Sequence, residues 1–444
     1  MESNYSGYAD KVTNNTRKAY TKHNRKFARA ARSIRKEVHC ILMIGEWLKF
    51  FRDHHLAMYF DSDATLPKTE VSATQTEKIK VNAAKVKQAK LNIQPLQLEG
   101  IYQTRDSSYR IAIIKDKQVY RDYIGVILSS NGPEWKAGDV KLEMKDEGNK
   151  IFKVVFYNRQ HVPLFDRLSF SVENGLKHYG WFKENVALQS QPSTFRNTDL
   201  TADHQSQVSF KQIDSNTAYM RIKSFSVSKY RLIDSIVKAN EFVIRTLPYL
   251  IIDIRDNGGG GDISYKTLRP LLYTGPIHTI GSDFLVTETN LENFEREIKM
   301  ANLPHAEEEM YIDKLQLARV SRQRYYPFVN DTTETLDTQW SFPKKVGIII
   351  NEWVASAAEQ FLLEAKQSTK VSIYGTNTRG VLDYSNMVSK PFPCLSGVLG
   401  YPTTRSRRIE IGQGIDRSGI KPDIEIDLNA KGWLQKVLLE LSKS

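Results

Sequence analysis

The chain has 444 residues, 40% apolar and 26% charged, which is ordinary for a folded protein and too apolar for wholesale disorder. No window reaches the ~20 uninterrupted apolar residues of a membrane-spanning helix. Two cysteines, Cys40 and Cys394, exclude a disulfide-dense scaffold and a four-cysteine zinc site and leave one bridge open. Sixty-three Lys and Arg against 51 Asp and Glu give +12, a balance that favours acidic partners without naming one.

The excess is uneven, with 11 basic against 4 acidic residues in positions 1–50. It can be read as an arm for nucleic acid or an anionic surface, or as the solvated side of amphipathic helices. Helical spacing supports the second: Phe27, Ile34, Val38, Ile41 and Leu42 share one face, and Arg25, Lys26, Arg29, Arg32 and Arg35 lie mostly opposite. Met1-Glu2-Ser3-Asn4 leads into no apolar signal region, so the chain is either cytoplasmic or has lost a signal.

Residues 10–60 are predicted helical, with the apolar run Ile41–Phe51 stopping at Arg52-Asp53-His54-His55. Residues 61–97 form a polar connector with one helical stretch near Glu77–Leu91. From Gly100 to about Gln189, β-prone runs at Tyr109–Ile114, Tyr123–Leu128, Val140–Met144 and Ile151–Tyr157 alternate with Gly- and Asn-containing turns. They predict a separate antiparallel β module, a barrel or small sandwich over 98–195. From Val208 onward the pattern becomes α/β: strands at Thr217–Ile222, Tyr249–Ile254, Val346–Ile350 and Lys370–Tyr374, helices at Tyr230–Leu247 and Ser356–Gln367, and a charged, largely helical insertion over 285–340. The predicted division is 1–60, 61–97, 98–195 and 196–444.

Four stretches carry possible chemistry. The buried strand Leu250–Arg255 runs into Gly258-Gly259-Gly260-Gly261, where bare backbone can turn N–H groups towards an anion or simply make a tight turn. A dinucleotide fingerprint fails because Ile263 stands where it needs glycine. Ser356 lies between a buried strand and a helix start, as an N-cap or as a nucleophile served by helix-start N–H groups. The Gly-x-Ser-x-Gly elbow is absent. His54 and His55 are adjacent rather than four apart, so they do not make a helical zinc pair; as a bland alternative they are cations at a helix C-terminus. Gly414–Ile426 reads as a turn leading to a late strand.

Taken in order, Ile252–Gly260, Ser356-Ala357-Ala358-Glu359, Tyr374-Gly375-Thr376 and Gly419-Ile420-Lys421-Pro422-Asp423 resemble the serine peptidase family of the tail-specific (carboxy-terminal processing) proteases and the tricorn core. Asp53-His54-His55 resembles that family's upstream Asp-x-His element, and the layout resembles members from Bacteroidetes-type bacteria. The resemblance implies a crotonase-like ββα peptidase core, hydrolysis of peptide or protein substrates, and neither metal nor organic cofactor. It implies Ser356 as nucleophile, and Gly258, Gly259 and Ala357 as oxyanion donors. Tail-specific members pair the serine with a lysine, but the aligned position is Val381, and Lys390 is out of register. The tricorn-type arrangement is therefore expected, with His55 as base and Asp416 as its carboxylate. Leu56 stands where the Asp-x-His element is often followed by Thr or Ser, and no PDZ-like carboxylate-binding loop is seen. An unperturbed imidazole at about 6.5 would lose activity on acidification through that region. The resemblance also implies a periplasmic or extracellular protein and no nucleic-acid partner. The rival expectation is a catalytically silent relative that binds peptide or glycan.

Overall fold

Leu250-Ile251-Ile252 and Ile348-Ile349-Ile350 are apolar at consecutive positions, so strands made of them must be covered on both faces. The computed structural model, which describes residues 1–60, 76–80, 86–88, 91, 97–148, 150–170, 176, 180–184, 207–392 and 397–443, covers them in that way. Thr217–Ile222, Tyr249–Asp253, Lys345–Ile350, Val371–Gly375 and Ile424–Glu425 run parallel in one sheet, with Val208–Gln212 antiparallel at its edge. Leu250, Ile252, Ile348 and Ile350 pack with Ile233, Phe361 and Leu362 on one face. Ile251 and Ile349 alternate to the other, against Trp433, Val437 and Leu441 of the final helix Trp433–Lys443. The glycine-rich loop and Ser356 both follow central strands at their carboxyl ends, where open α/β sheets place ligands.

A second sheet brings distant segments to that edge. Gly397–Ser406 pairs antiparallel with Ala57–Phe60, Ser282–Leu285 and Tyr384–Pro391. The register Ala57↔Gly400 anchors the chain two residues after His55. The expected helix over 10–60 therefore ends earlier: Glu37–Leu48 is followed by a 3₁₀ turn at Lys49–Phe51, and Arg52 takes a left-handed conformation (φ 50°, ψ 38°) that turns the chain into the strand.

The amphipathic helix expected through 27–42 is also interrupted. Arg17–Ala31 and Glu37–Leu48 are two helices, with Lys36 extended between them (φ −103°, ψ 136°). They fold back on each other as an αα-hairpin. Trp47 Nε1 donates to Asn24 Oδ1 at 2.7 Å, and His23 Nε2 lies 2.9 Å from the Trp47 carbonyl. One straight helix would carry Trp47 about 35 Å away from His23 and Asn24 rather than back beside them, at about 1.5 Å per residue. Tyr5, Tyr20, Leu48, Phe51 and Leu56 share one apolar cluster with Phe284, Phe294, Phe328 and Tyr401. The insertion contributes the helices Glu288–Met300 and His305–Ser321 to that cluster, and then the strands Tyr325–Val329 and Thr332–Glu334.

Residues 100–183 supply a seven-stranded antiparallel sheet. Six strands from Gly100–Thr104 to Pro163–Ser169 follow as a meander, and Trp181–Lys183 returns beside the first. Ile111 and Ile113 face one cluster, Ala112 and Ile114 another, as period-two alternation requires. Cys394, most of the expected connector and residues 185–195 lie outside the described residues.

Candidate active site

Ser356 precedes the helix Ala357–Ala365 with φ 56° and ψ −127°. An N-cap residue ordinarily sits in the β region, and a non-glycine residue held where Ser356 is costs about 1–3 kcal/mol. The surroundings hold it there. Its N–H lies 3.1 Å from the Val381 carbonyl and 3.2 Å from Glu359 Oε2. Buried Glu359 also accepts from the Thr378 hydroxyl and the N–H groups of Gly380 and Val381, at 2.5, 2.7 and 2.8 Å. Burial raises its pKa against the pull of those bonds. Glu359 thus clamps the serine turn to the 378–381 segment. Its spacing from Ser356 is that of a capping box, so this partnership is legible in Ser-x-x-Glu.

The glycine loop meets the serine through Asn257, which is fully buried. Its carbonyl accepts from Ala355 N at 3.1 Å, and its Oδ1 accepts from Gly259 N at 2.9 Å. Gly259 has φ +94°, and a Cβ there would lie 2.8 Å from both Ser356 Cβ and Ala357 N. Of the three expected oxyanion donors, Gly259 N–H is thus engaged by Asn257. The N–H groups of Gly258 and Ala357 have no partner among the described residues.

Asp53-His54-His55 closes as an Asx-type turn: Asp53 Oδ1 accepts from His55 N at 2.8 Å, and Asp53 Oδ2 accepts from Tyr5 OH at 2.8 Å. His55 Nδ1 stands 2.5 Å from the Tyr384 carbonyl oxygen. A carbonyl only accepts, so this contact places the imidazole proton on Nδ1 and leaves the lone pair on Nε2. Burial pulls the His55 pKa down to about 4, below the ordinary 6.5 expected from sequence. His54, although an exposed residue, is lowered to about 4 by partial desolvation and by Arg379 and Arg167. Burial raises Asp53 to about 6 despite its two hydrogen bonds.

Asp416 does not bond His55 in this structure. Its carboxylate pairs with Lys11, a cation whose side chain is 11% exposed, and its N–H donates to Asp383 Oδ2 at 2.7 Å. Burial raises the Asp416 pKa and Lys11 opposes that rise. Asp416 remains close enough to favour the charged form of His55. Lys11 was missed because one lysine in a polar segment carries no local signal. No hydrogen bond joins Ser356 to His55 among the described residues. Val381, aligned with the lysine of other members, is buried beside the serine turn, whereas Lys390 is exposed and close to the Met1 amino group.

The seven-stranded sheet reaches the serine loop through Arg167, whose guanidinium lies 4.8 Å from the centre of the Trp353 ring. His39, Glu77 and Glu143 offer ligand atoms within 4.8 Å of one another. Arg121 already supplies their positive charge, with Nη1 at 2.8 Å from both Glu77 Oε2 and Glu143 Oε2. That guanidinium lowers Glu77, and it joins His39 in bringing Glu143 to about 2 against burial. The group is an internal ion network tying the second helix to the β sheet.

The sequence model for peptidase family S41 matches residues 216–426. No curated protein matches significantly in sequence. Among solved structures, mature CPAF is 11% identical with a TM-score of 0.50, over 100% of this chain and 93% of that one, a likeness of fold. The photosystem II D1 C-terminal processing protease is 11% identical (TM-score 0.38, 96% of this chain and 90% of that one). The tricorn protease is 14% identical (TM-score 0.30, 75% of this chain and 30% of that one). Among the described residues, no helix is long and apolar enough to cross a membrane.

Proposed function

We propose, from the premise that residues 216–426 belong to peptidase family S41, that this chain is a serine-type peptidase. Ser356 Oγ attacks the scissile carbonyl, and His55 Nε2 takes its proton and passes it to the leaving amine. Water then releases the acyl group from Ser356 by the same base. The Tyr384 carbonyl holds the imidazole tautomer, and Asp416 stabilises the imidazolium through its field. The N–H groups of Gly258 and Ala357 serve the oxyanion, and Gly259 supplies the close approach that aims them.

The observation that carries the reading is the backbone of Ser356. A serine that only capped a helix would have no reason to stand in a strained conformation with a glycine pressed against its Cβ. Reaction with a fluorophosphonate, mapped by mass spectrometry, tests it. Covalent label on Ser356, lost in Ser356→Ala and strongly slowed in His55→Ala, is the expected result. A folded chain that takes no label at Ser356 overturns it.

The same reading carries a crotonase-like ββα core over 196–444, a helical N-terminal part (1–60) that delivers His55, a connector (61–97), and a β module (98–195) beside the serine loop. Its compartment is proposed as periplasmic or extracellular, by resemblance to the family. Fractionation of cells expressing the native gene tests that.

A further inference from the structure

Between Asp10 and Glu37 the chain contains no acidic residue. In the helix Arg17–Ala31 and its final turn, Lys18, Lys22, Arg25, Arg29 and Arg32 follow one another at spacings of four, three, four and three. At about 100° and 1.5 Å per residue, these five fall within a sector of about 80° and form a line about 21 Å long, with neighbours about 5 Å apart along the axis. All five are exposed. None forms an ion pair or a side-chain hydrogen bond among the described residues, although ion pairs are plentiful elsewhere in the chain. Unrelieved like charge at this spacing opposes the helix, so a stretch free of acids points to an external counter-charge.

The shape narrows the partner. The line borders a groove lined by Lys18, Lys22, Arg25, Lys26, Arg29 and Phe50. The helix's large apolar residues, Tyr20 and Phe27, are buried against the fold; on the open side only Ala19, Thr21 and Ala28 stand between the cations. An interfacial membrane helix needs a large apolar face to insert, and a single-strand nucleic-acid site needs free aromatic platforms. Phe50 is not free: its ring packs 5.1 Å from Tyr20 and 5.2 Å from His23. What fits is an extended chain held by charge. The groove wall also belongs to the turn Lys49–Phe51, which runs directly into His55.

We propose that this groove is an exosite for an acidic stretch of the polypeptide substrate. The inference rests on the peptidase reading and adds a substrate class to it. Carboxylates of an extended acidic segment, on alternate residues about 6.6 Å apart, would track the cation line. Binding there would lower KM without changing the chemical step.

The test uses the full chain and a casein-derived peptide that it cleaves. That peptide is extended through Gly-Ser linkers of graded length by a run of Glu or a matched run of Gln. The Glu tail should lower KM about tenfold at low salt, as several exposed charge pairs together would, with kcat unchanged. High salt, Lys22→Glu/Arg25→Glu/Arg29→Glu and the milder Gln triple variant should each abolish the difference while leaving cleavage of the Gln-tailed peptide intact. Equal KM values for the two tails at every linker length overturn the exosite and leave the peptidase reading standing. If no peptide is cleaved, the peptidase reading fails and the groove is judged by anisotropy of a fluorescent poly-Glu peptide on Ser356→Ala. Salt-sensitive binding lost in the triple variants supports it. No binding of that peptide, with oligo-dT or phosphatidylserine vesicles captured through the same residues, overturns it in favour of a phosphodiester or lipid partner.

Discussion

Gly259 and Ser356 are in backbone-to-side-chain contact that leaves no room for a methyl group. A Cβ on Gly259 would stand 2.8 Å from Ser356 Cβ and 2.7 Å from the Ala355 carbonyl oxygen. Gly258, its neighbour, would meet nothing within 4 Å. Gly259→Ala is therefore expected to cost about 2–4 kcal/mol of stability, through a clash and a left-handed φ together, and more than 10²-fold in kcat/KM. Gly258→Ala should stay within about 1 kcal/mol of the parent. Thermal melts and steady-state kinetics on the pair decide it, and equal tolerance at both positions would show that the loop does not press on the serine.

The strain at Ser356 has its own signature. Ser356→Ala keeps a Cβ and keeps the unfavourable φ, so its melting temperature should match the parent while hydrolysis is lost. Ser356→Gly should be more stable than Ser356→Ala by about 1 kcal/mol, because relief of strain exceeds the added chain entropy of glycine. A glycine variant less stable than the alanine variant would contradict a strained serine.

His55 should act as a base far into the acid range. With its pKa lowered to about 4, kcat/KM should hold nearly full value at pH 5.5 and fall near pH 4, instead of near the ordinary 6.5. His55→Ala should lose at least about 10³-fold in kcat/KM and His54→Ala much less, since only His55 has Nδ1 on the Tyr384 carbonyl. The exposed Lys390→Ala should be neutral. The same shift contributes to stability. A histidine kept neutral in the fold adds stability fully present above pH 6.5 and lost as pH falls through about 4. Asp53, raised to about 6, acts in the opposite sense, binding its proton more tightly folded than unfolded. Denaturant titrations of His55→Ala should accordingly lose less stability than the parent between pH 6.5 and 4.

Lys11 and Asp416 make a further test. Lys11 neutralises the carboxylate that favours protonated His55, so Lys11→Met should raise the His55 pKa and move the acid limb of kcat/KM upward. Asp416→Asn should move it downward and reduce kcat about 10–10²-fold. Unmoved pH profiles in both variants would show that Asp416 exerts no field on the imidazole.

The central sheet was legible in the sequence because its strands are continuous apolar runs, and a run such as Leu250–Ile252 has few alternatives to burial on both faces. Ser356 was legible from its place between a buried strand and a helix start, and its partnership with Glu359 three residues on is local. His55 was legible only through the resemblance of Asp53-His54-His55 to the family's Asp-x-His element, a turn that the bond from His55 N to Asp53 Oδ1 closes. What no local pattern contained were contacts made across hundreds of residues. Tyr384 enters the site through a backbone carbonyl, which every residue type possesses, and it arrives there because Ala57–Phe60 and Tyr384–Pro391 share the strand Gly397–Ser406. Lys11 reaches Asp416 only because Tyr5 and Val12 are buried under the same sheet. The lowered pKa of His55 and the break between the two N-terminal helices are likewise consequences of packing, whereas Asn257 takes the Gly259 N–H through a local bond two residues on. Burial, which sets the first, is a property of the neighbours that tertiary structure supplies.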